Sequence, residues 1–482
     1  MAGTEALLLT LLMVAALLLM AGQLHRLPLL MPEDNNEGWN AYHALAAMSG
    51  SLSYPSTTSF ITNNYPPLSF YVVGTVGKLV GDNVLAGRLI ALLSELLVAL
   101  NVFLLLREFG ARAFVAGFTA VLFLFHIGLT ASSYVAMDDP QWLGHALATS
   151  GAVLFMRSRR GASQLTQPLL SSLLCVSAVF VKHNLIILPL TLSIWALLYE
   201  RRRLLMWLAL GLTVGGLTLA LTLNEFGFAF LRDVLAHKRP LLPVKLVEDL
   251  ARFGEPLAPL LLCTALLARM AWNDRNDRYA RLLVLYGALA AASGVFFLAG
   301  EGIDVNVLFD LDIALVMSSG LLISRLTENG TVSMRGISAG GAAALLVVAY
   351  LPALPAALAG VRDSLRQDRV EPGEYRDLIL DIAKNPGPAA CEQLVLCYWA
   401  GKPFEIDLSN YGKKLHLGAV DPQVLGRRFD EGYYREFQVQ AWPVDGQTAL
   451  GRLLGPELSR RLVARYRGSR IFDEEWLLAP RR

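Results

Sequence analysis

Apolar residues fall in long runs separated by short polar links, and the runs repeatedly approach the length of a bilayer. Roughly 20 apolar residues in a helix cross the hydrocarbon core. The first run, about Ala6 to Ala21, carries Glu5 where a signal peptide would carry basic residues, and AGQLH is a poor cleavage site. It reads as a retained helix that starts in the cytoplasm. Further runs at about Val84–Leu106, 113–133, Trp142–Met156, 168–181, Leu185–Leu198, 204–223, Leu257–Leu267, 281–299, Val307–Ile323 and 338–358 bring the total to about eleven. The even-numbered runs end at arginines: Arg107 and Arg112; Arg157, Arg159 and Arg160; Arg201, Arg202 and Arg203; Arg269, Arg275 and Arg278; Arg325 and Arg335. Cytoplasmic loops collect Lys and Arg, so this alternation predicts an inside N-terminus and an outside C-terminus.

The pattern changes near residue 362. From there to 482 the chain is rich in charge, Pro and Gly and has no spanning run. ACEQLVLCYWAGKPFEIDL mixes short apolar runs with turn residues, and DPQVLGRRFDEGYYREFQVQAW reads as helix then strand. The predicted fold class is therefore a polytopic α-helical membrane protein with a small C-terminal α/β extracytoplasmic domain. Its expected divisions are a membrane domain over 1–361, with a long first outer loop over 23–82, and a periplasmic domain over 362–482. Composition agrees: of 482 residues 54% are hydrophobic and 17% charged, against about 25% charged in soluble domains. A net charge of +2 without a basic, aromatic-laced stripe gives no reason to expect a nucleic-acid partner. Cys175 and Cys263 lie in apolar runs and read as small hydrophobes. Cys391 and Cys397 sit in the outer region, where oxidation is possible, but six residues apart they reach one another only across a turn. Bridged and free states both stay open.

Carboxylates at membrane edges are costly unless solvated, paired or used in chemistry. The first outer loop holds Glu33, Asp34 and Glu37, and YVAMDDPQW places Asp138 and Asp139 on the same side. Trp39, Tyr42 and His43, then Ala46 and Ala47, recur at helical spacing, which predicts a short helix in the membrane interface with its aromatics at headgroup level. Capping of that helix is the plain role for Glu33 and competes evenly with chemistry for Asp34 and Glu37. Pro66 and Pro67 predict a rigid turn before another helix. Lys182, followed by His183 and Asn184, sits at the outer end of two runs, where a lysine either meets an anion or snorkels. Lys238 and Arg239 form a second basic spot, with simple solvation as the plain alternative. Asn306 and Asp310 share a helix face at the start of a late run, Asp312 points elsewhere, and Asn306 has capping as its plain role. His126, His145 and Glu95 lie within runs and read as interhelical hydrogen-bonding groups.

An acid-x-x-Glu-Gly-Trp-x-x-Tyr loop, the Tyr65-Pro66-Pro67-Leu68 turn, AMDDPQW, FVKHNLIILP and GIDVNVLFDL occur here in one order and on one side. Together they resemble the GT-C superfamily of membrane glycosyltransferases, in the bacterial branch near protein O-mannosyltransferases and lipid A aminoarabinose transferases. Where many relatives have adjacent Asp-Glu in the first loop, this chain has Asn36-Glu37, with Asp34 two positions earlier. The resemblance implies an inverting transferase in the bacterial cytoplasmic (inner) membrane that uses a polyprenyl-phosphate-linked sugar donor. Its acceptor would be an envelope glycan, lipid or protein, and membrane lipids would surround it. It further implies a carboxylate base among Asp34, Glu37 and Asp138. Asp34 is favoured because its shorter side chain fixes the carboxylate with fewer torsions. Phosphate would be held by Lys182, His183, Asn184, Lys238 and Arg239, and substrate by Asp139, Tyr65, Asn306 and Asp310. A divalent cation (Mg or Mn) could sit at Asp34 and Asp138. The competing class is a polytopic transporter or lipid flippase, which would tend to show paired repeats and midplane acids.

Overall fold

A computed structural model describes residues 2–158, 165–235, 239–328, 338–368, 371–472 and 475–481. The chain enters on α1 (Ala2–Arg26) and continues through two helices of the first outer loop, α2 (Asn35–Ser49) and α3 (Leu68–Val80). The bundle then runs through α4 (Asn83–Glu108), α5 (Ala113–Thr130), α6 (Gln141–Arg157), α7 (Thr166–Val181), α8 (Ile187–Tyr199), α9 (Arg201–Leu235), α10 (Pro243–Asn273), α11 (Arg278–Leu298) and α12 (Phe309–Glu328). It closes with α13 (Ala339–Val348) and α14 (Leu354–Gln367). Among the described residues seven helices are long and apolar enough to span a membrane, and shorter apolar helices occupy several of the remaining predicted runs.

Burial sorts these helices. The segment opening α12 is the most enclosed, while α9 and α10 bury little of their surface against protein. Leu212, Leu217, Leu221 and Phe228 on α9 are each more than half exposed. A soluble protein rarely presents so continuous an apolar face; in lipid it carries no penalty. Inside, α4 packs on α5 and α6, α6 on α7, and α12 on α10 and α11, around Trp142, Phe118, Phe123, Trp195 and Tyr286. Of the polar groups expected to bridge helices, His126 does so, meeting Asp312 at 3.1 Å across α5 and α12; His145 lies 4.0 Å from Asp310 of α12, and its hydrogen bond at 3.0 Å is to Gln141 of its own helix. Glu95 is fully buried with neither carboxylate oxygen bonded.

Two differences from the predicted runs have local causes. The eleventh run is not one span but two helices, because Pro352 falls in the link between α13 and α14 and Pro355 sits in the first turn of α14. α9 continues past 223 to Leu235, with a break at Gly227, whose φ of 65° only glycine adopts readily. α3, the helix expected after the Pro66–Pro67 turn, lies inside the stretch assigned to the first outer loop.

From α15 (Glu371–Lys384) the chain changes character. It continues through β1 (Ala389–Cys391), α16 (Leu394–Trp399), α17 (Leu408–His416), α18 (Pro422–Asp430), β2 (Glu436–Val439), α19 (Ala449–Arg465), β3 (Tyr466–Phe472) and β4 (Glu475–Pro480). The sheet order is β1-β2-β4-β3. β1 and β2 are parallel, with Ala390 beside Phe437, and so need the helical crossover between them; the other pairs are antiparallel. Leu425, Phe429, Tyr434, Phe437, Tyr466 and Leu478 fill the core beneath it. Cys391 and Cys397 are disulfide-bonded, with Cα atoms 5.9 Å apart across the turn from β1 into α16.

Candidate active site

The C-terminal ends of α1, α5, α7, α9 and α11 come out at one end of the bundle, and the α/β region is seated there. Asp34 opens α2: its carboxylate accepts the Asn36 N–H at 2.8 Å as an N-cap. At the far end Gly50, with φ of 72°, returns its N–H to Ala46 and Ala47. The aromatic stripe between these caps does not lie against headgroups. Trp39 and Tyr42 are buried; Trp39 meets Phe70 and Tyr65 edge-on, and Tyr42 stacks on Phe404 and donates to the Lys402 carbonyl at 2.7 Å. The interfacial placement is therefore corrected: α3 and the α/β region cover this face.

Glu37 is fully buried and already consumed. Arg88 Nε and Nη2 each donate to it at 2.7 Å, and the N–H groups of Glu33 and Asp138 donate at 3.0 and 3.3 Å. The other Arg88 donors reach the carbonyls of Arg26, Leu27, Leu29 and Met31. An arginine at the fifth position of an apolar run needs such a partner, and that is the clue in the sequence. Glu37 is thus a clamp between α2, α4 and the end of α1, with no oxygen left for an acceptor.

Asp138 is also turned away from Asp34. A Cβ on Gly87 would fall 1.9 Å from its Oδ1, and its Oδ2 is buried without a partner. Burial, Glu37 and Asp139 push its carboxyl well above the usual range. Among the described residues no group of three or more His, Cys, Asp or Glu is placed to hold a metal ion. Asp34 and Asp138, the pair expected to hold a cation, therefore have no third ligand of these types grouped with them among the described residues.

Asp34 instead faces Asp139 and Asp304. Burial, Glu37 and these two acids raise its carboxyl to about 6, against the opposing pull of the Asn36 N–H. Asp304 caps the turn before α12, accepting the Val305 N–H at 2.7 Å and the Tyr134 hydroxyl at 3.3 Å. Tyr134 lies in the field of Asp139, Asp304 and Asp34, and of Tyr65. Asp139 caps α6 through the Gln141 N–H at 2.7 Å and holds Lys182 Nζ at 3.3 Å. Lys182 in turn sits 4.9 Å from the Tyr65 ring centre. It does not snorkel: it is buried and paired.

Around Lys182 the site turns basic. His183 is pushed down to about 4 by burial and by Lys182 and Arg239, and its Nδ1, like Asn184 Oδ1, is buried without a partner. Arg239 Nη1 donates to the carbonyls of Glu301 and Gly302 at 3.0 and 3.4 Å and lies in the field of Tyr65. Lys238 falls outside the described residues. Asp310 is not brought to this cluster. It accepts the Tyr286 hydroxyl at 2.5 Å, inside the bundle, so its expected place beside a substrate is corrected; Asn306 is buried in the turn before α12. Asp304, Tyr134 and Lys413, which the sequence reading did not single out, join the site. Asp304 lies within GIDVNVLFDL, two residues before Asn306, whereas nothing in the sequence marks Lys413.

The fold is similar to that of several solved structures at low sequence identity. ArnT from Cupriavidus metallidurans bound to undecaprenyl phosphate superposes with a TM-score of 0.60 at 15% identity, over 99% of this chain and 98% of that one. The apo form of the same protein gives 0.58 at 14% identity, with 93% of each chain covered. The oligosaccharyltransferase AglB from Archaeoglobus fulgidus, in complex with an inhibitory peptide and a dolichol-phosphate, gives 0.54 at 11% identity, over 96% of this chain and 72% of its own. A family profile described as "6-pyruvoyl-tetrahydropterin synthase related domain; membrane protein" matches residues 62–229, about a third of the chain. No curated protein sequence matches.

Proposed function

We propose that this protein is an integral membrane glycosyltransferase of the bacterial inner membrane. It moves a sugar from a polyprenyl-phosphate donor to an acceptor hydroxyl at the periplasmic face. The observation that carries this reading is the convergence, at one end of the bundle, of an acidic half (Asp34, Asp139, Asp304) and a basic half (Lys182, His183, Arg239) about Tyr65 and Tyr134. Support comes also from the fold it shares with ArnT, which has been seen holding undecaprenyl phosphate.

The chemistry divides between the halves. Asp34 takes the acceptor hydroxyl proton as that oxygen attacks the anomeric carbon. The bond from that carbon to the phosphate oxygen breaks with its electron pair leaving on the lipid phosphate, and the configuration inverts. Growing charge on the phosphate is met by Arg239, with His183 and Asn184 offering polar atoms beside it. Lys182, neutralised in part by Asp139, orients Tyr65 and steers the donor more than it binds charge. Glu37 holds α2 in place through Arg88. A single outside face for the first loop (23–82), the Asp138–Asp139 loop and the region after about 362 follows from the arginine alternation, with the membrane domain over 1–361.

The test is direct. Purified protein supplied with a polyprenyl-phosphate sugar and an acceptor extract should release free polyprenyl phosphate, and Arg239→Ala should weaken donor binding more than Lys182→Ala. No release with any polyprenyl-phosphate hexose or pentose would remove the proposal.

A further inference from the structure

Lys413, on α17 of the α/β region, reaches the basic half of the site. It is 7% exposed. A Cβ on Gly302 would lie 2.7 Å from its Nζ and 3.6 Å from Arg239 Nη1, so the two cationic groups crowd the same glycine. Neither has an ion-pair partner within reach among the described residues. Arg239 bonds only to two carbonyls, and Lys413 makes one long contact, 3.5 Å, to Asn410 Oδ1.

Nearby carboxylates are engaged elsewhere. Asp407 caps α17 and holds the Asn410 amide at 2.6 Å, Glu301 is taken by His416 at 3.1 Å, and Asp34 caps α2. Burial and Arg239 push the Lys413 amine down to about 8, against the opposing fields of Asp407, Glu301 and Asp34. Buried Lys413 and part-buried Arg239 repel one another, and Asp407, Glu301 and Asp34 act on them through the field without forming an ion pair, so an anion bonded to both cations would be favoured. The unpartnered, buried Nδ1 of His183 beside Arg239 is a third polar group that such an anion would satisfy.

We infer that Lys413 and Arg239 form one phosphate-binding site shared between the membrane bundle and the α/β region. Docking of α17 is then part of building the reaction site. Several contacts fix that docking: the Asp407 N–H donates to the Phe60 carbonyl at 3.0 Å, Lys414 Nζ to the Ser59 carbonyl at 2.8 Å, and Phe60 packs against Tyr411. The assignment of the phosphate to a lipid donor rests on the function proposed above; the pairing of the two cations does not.

The experiment measures binding of undecaprenyl phosphate, and separately of inorganic phosphate, to the full-length protein in detergent, for the wild type, Lys413→Gln and Lys413→Arg. Lys413→Gln keeps most of the stem, and a thermal transition checks that each variant is folded. Loss of one charged hydrogen bond predicts about 10–100-fold weaker undecaprenyl phosphate binding for Lys413→Gln, with most of the affinity restored in Lys413→Arg. Equal binding by Gln and Arg variants overturns the inference, whether both are tight or both weak, because charge at 413 then does not matter. If inorganic phosphate binds in a Lys413-dependent way but the lipid does not bind, the shared site stands and the lipid-donor reading fails. Retained sugar transfer by a Lys413→Gln protein with normal lipid affinity would leave the proposed function intact and remove only this residue from it.

Discussion

A carboxylate serves as a base only when ionised, and Asp34 is held at about 6, above the ordinary aspartate value, chiefly by burial. Raising the pKa means that protonation begins at higher pH. Turnover should therefore be full above about 6 and fall as the pH drops through that value, by about tenfold per unit once the acid dominates. Asp34→Asn should lower turnover by about 10²–10⁴-fold and abolish the acid limb, with donor still bound. Asparagine is also a good N-cap, so α2 should keep its start. An Asp34→Asn enzyme with near-normal turnover and an unchanged acid limb would move the base elsewhere. The neighbouring acids show how little proximity in sequence decides. Glu37, three residues on, is locked by Arg88 and cannot act; Asp138 packs on Gly87, while Asp139, its immediate neighbour, looks into the site.

The helix that carries these acids owes its position to another element. Gly38 lies so close to α16 that a Cβ would fall 2.2 Å from the Val395 nitrogen, and α16 is tied back to β1 by the Cys391–Cys397 bridge. The obstacle is backbone, so no rotamer change relieves it. Gly38→Val should destabilise the protein by about 1–3 kcal/mol or more, as overpacking does; a lower melting temperature and weaker turnover would follow together. An unchanged melting temperature would mean that α2 and α16 separate without cost. The periodicity of Trp39, Tyr42 and His43 was enough to predict α2, and the prolines enough to predict the turn before α3. What covers the aromatic face was not legible, because lipid headgroups and the side chains of Tyr398 and Phe404 select the same residues.

For the molecule as a whole, the α/β region is seated on the acidic end of the bundle, and the arginine pattern predicts that this end is the outer one. Ser56→Cys and Gln447→Cys should be modified by an impermeant maleimide in intact cells, whereas Arg275→Cys should react only after lysis. Modification of one of the first two without the other would mean a miscounted span. The run lengths, the arginine alternation and the break in composition near 362 fix a polytopic bundle with a terminal α/β part, because these follow from how hydrocarbon and water each partition a local stretch of chain. Caps and turns were legible for the same reason: Asp34 and Pro67 act on residues next to them. Partner choice is not local. Arg88 meets Glu37 across 51 positions, and Lys413 reaches Gly302 and Arg239 from the far end of the chain. Lys182 turns out to be paired with Asp139, 43 positions away, and not held out to solvent. Which acid is free to react and which cations are left without an anion depend on long-range pairings that only the packed bundle and the docked α17 bring about.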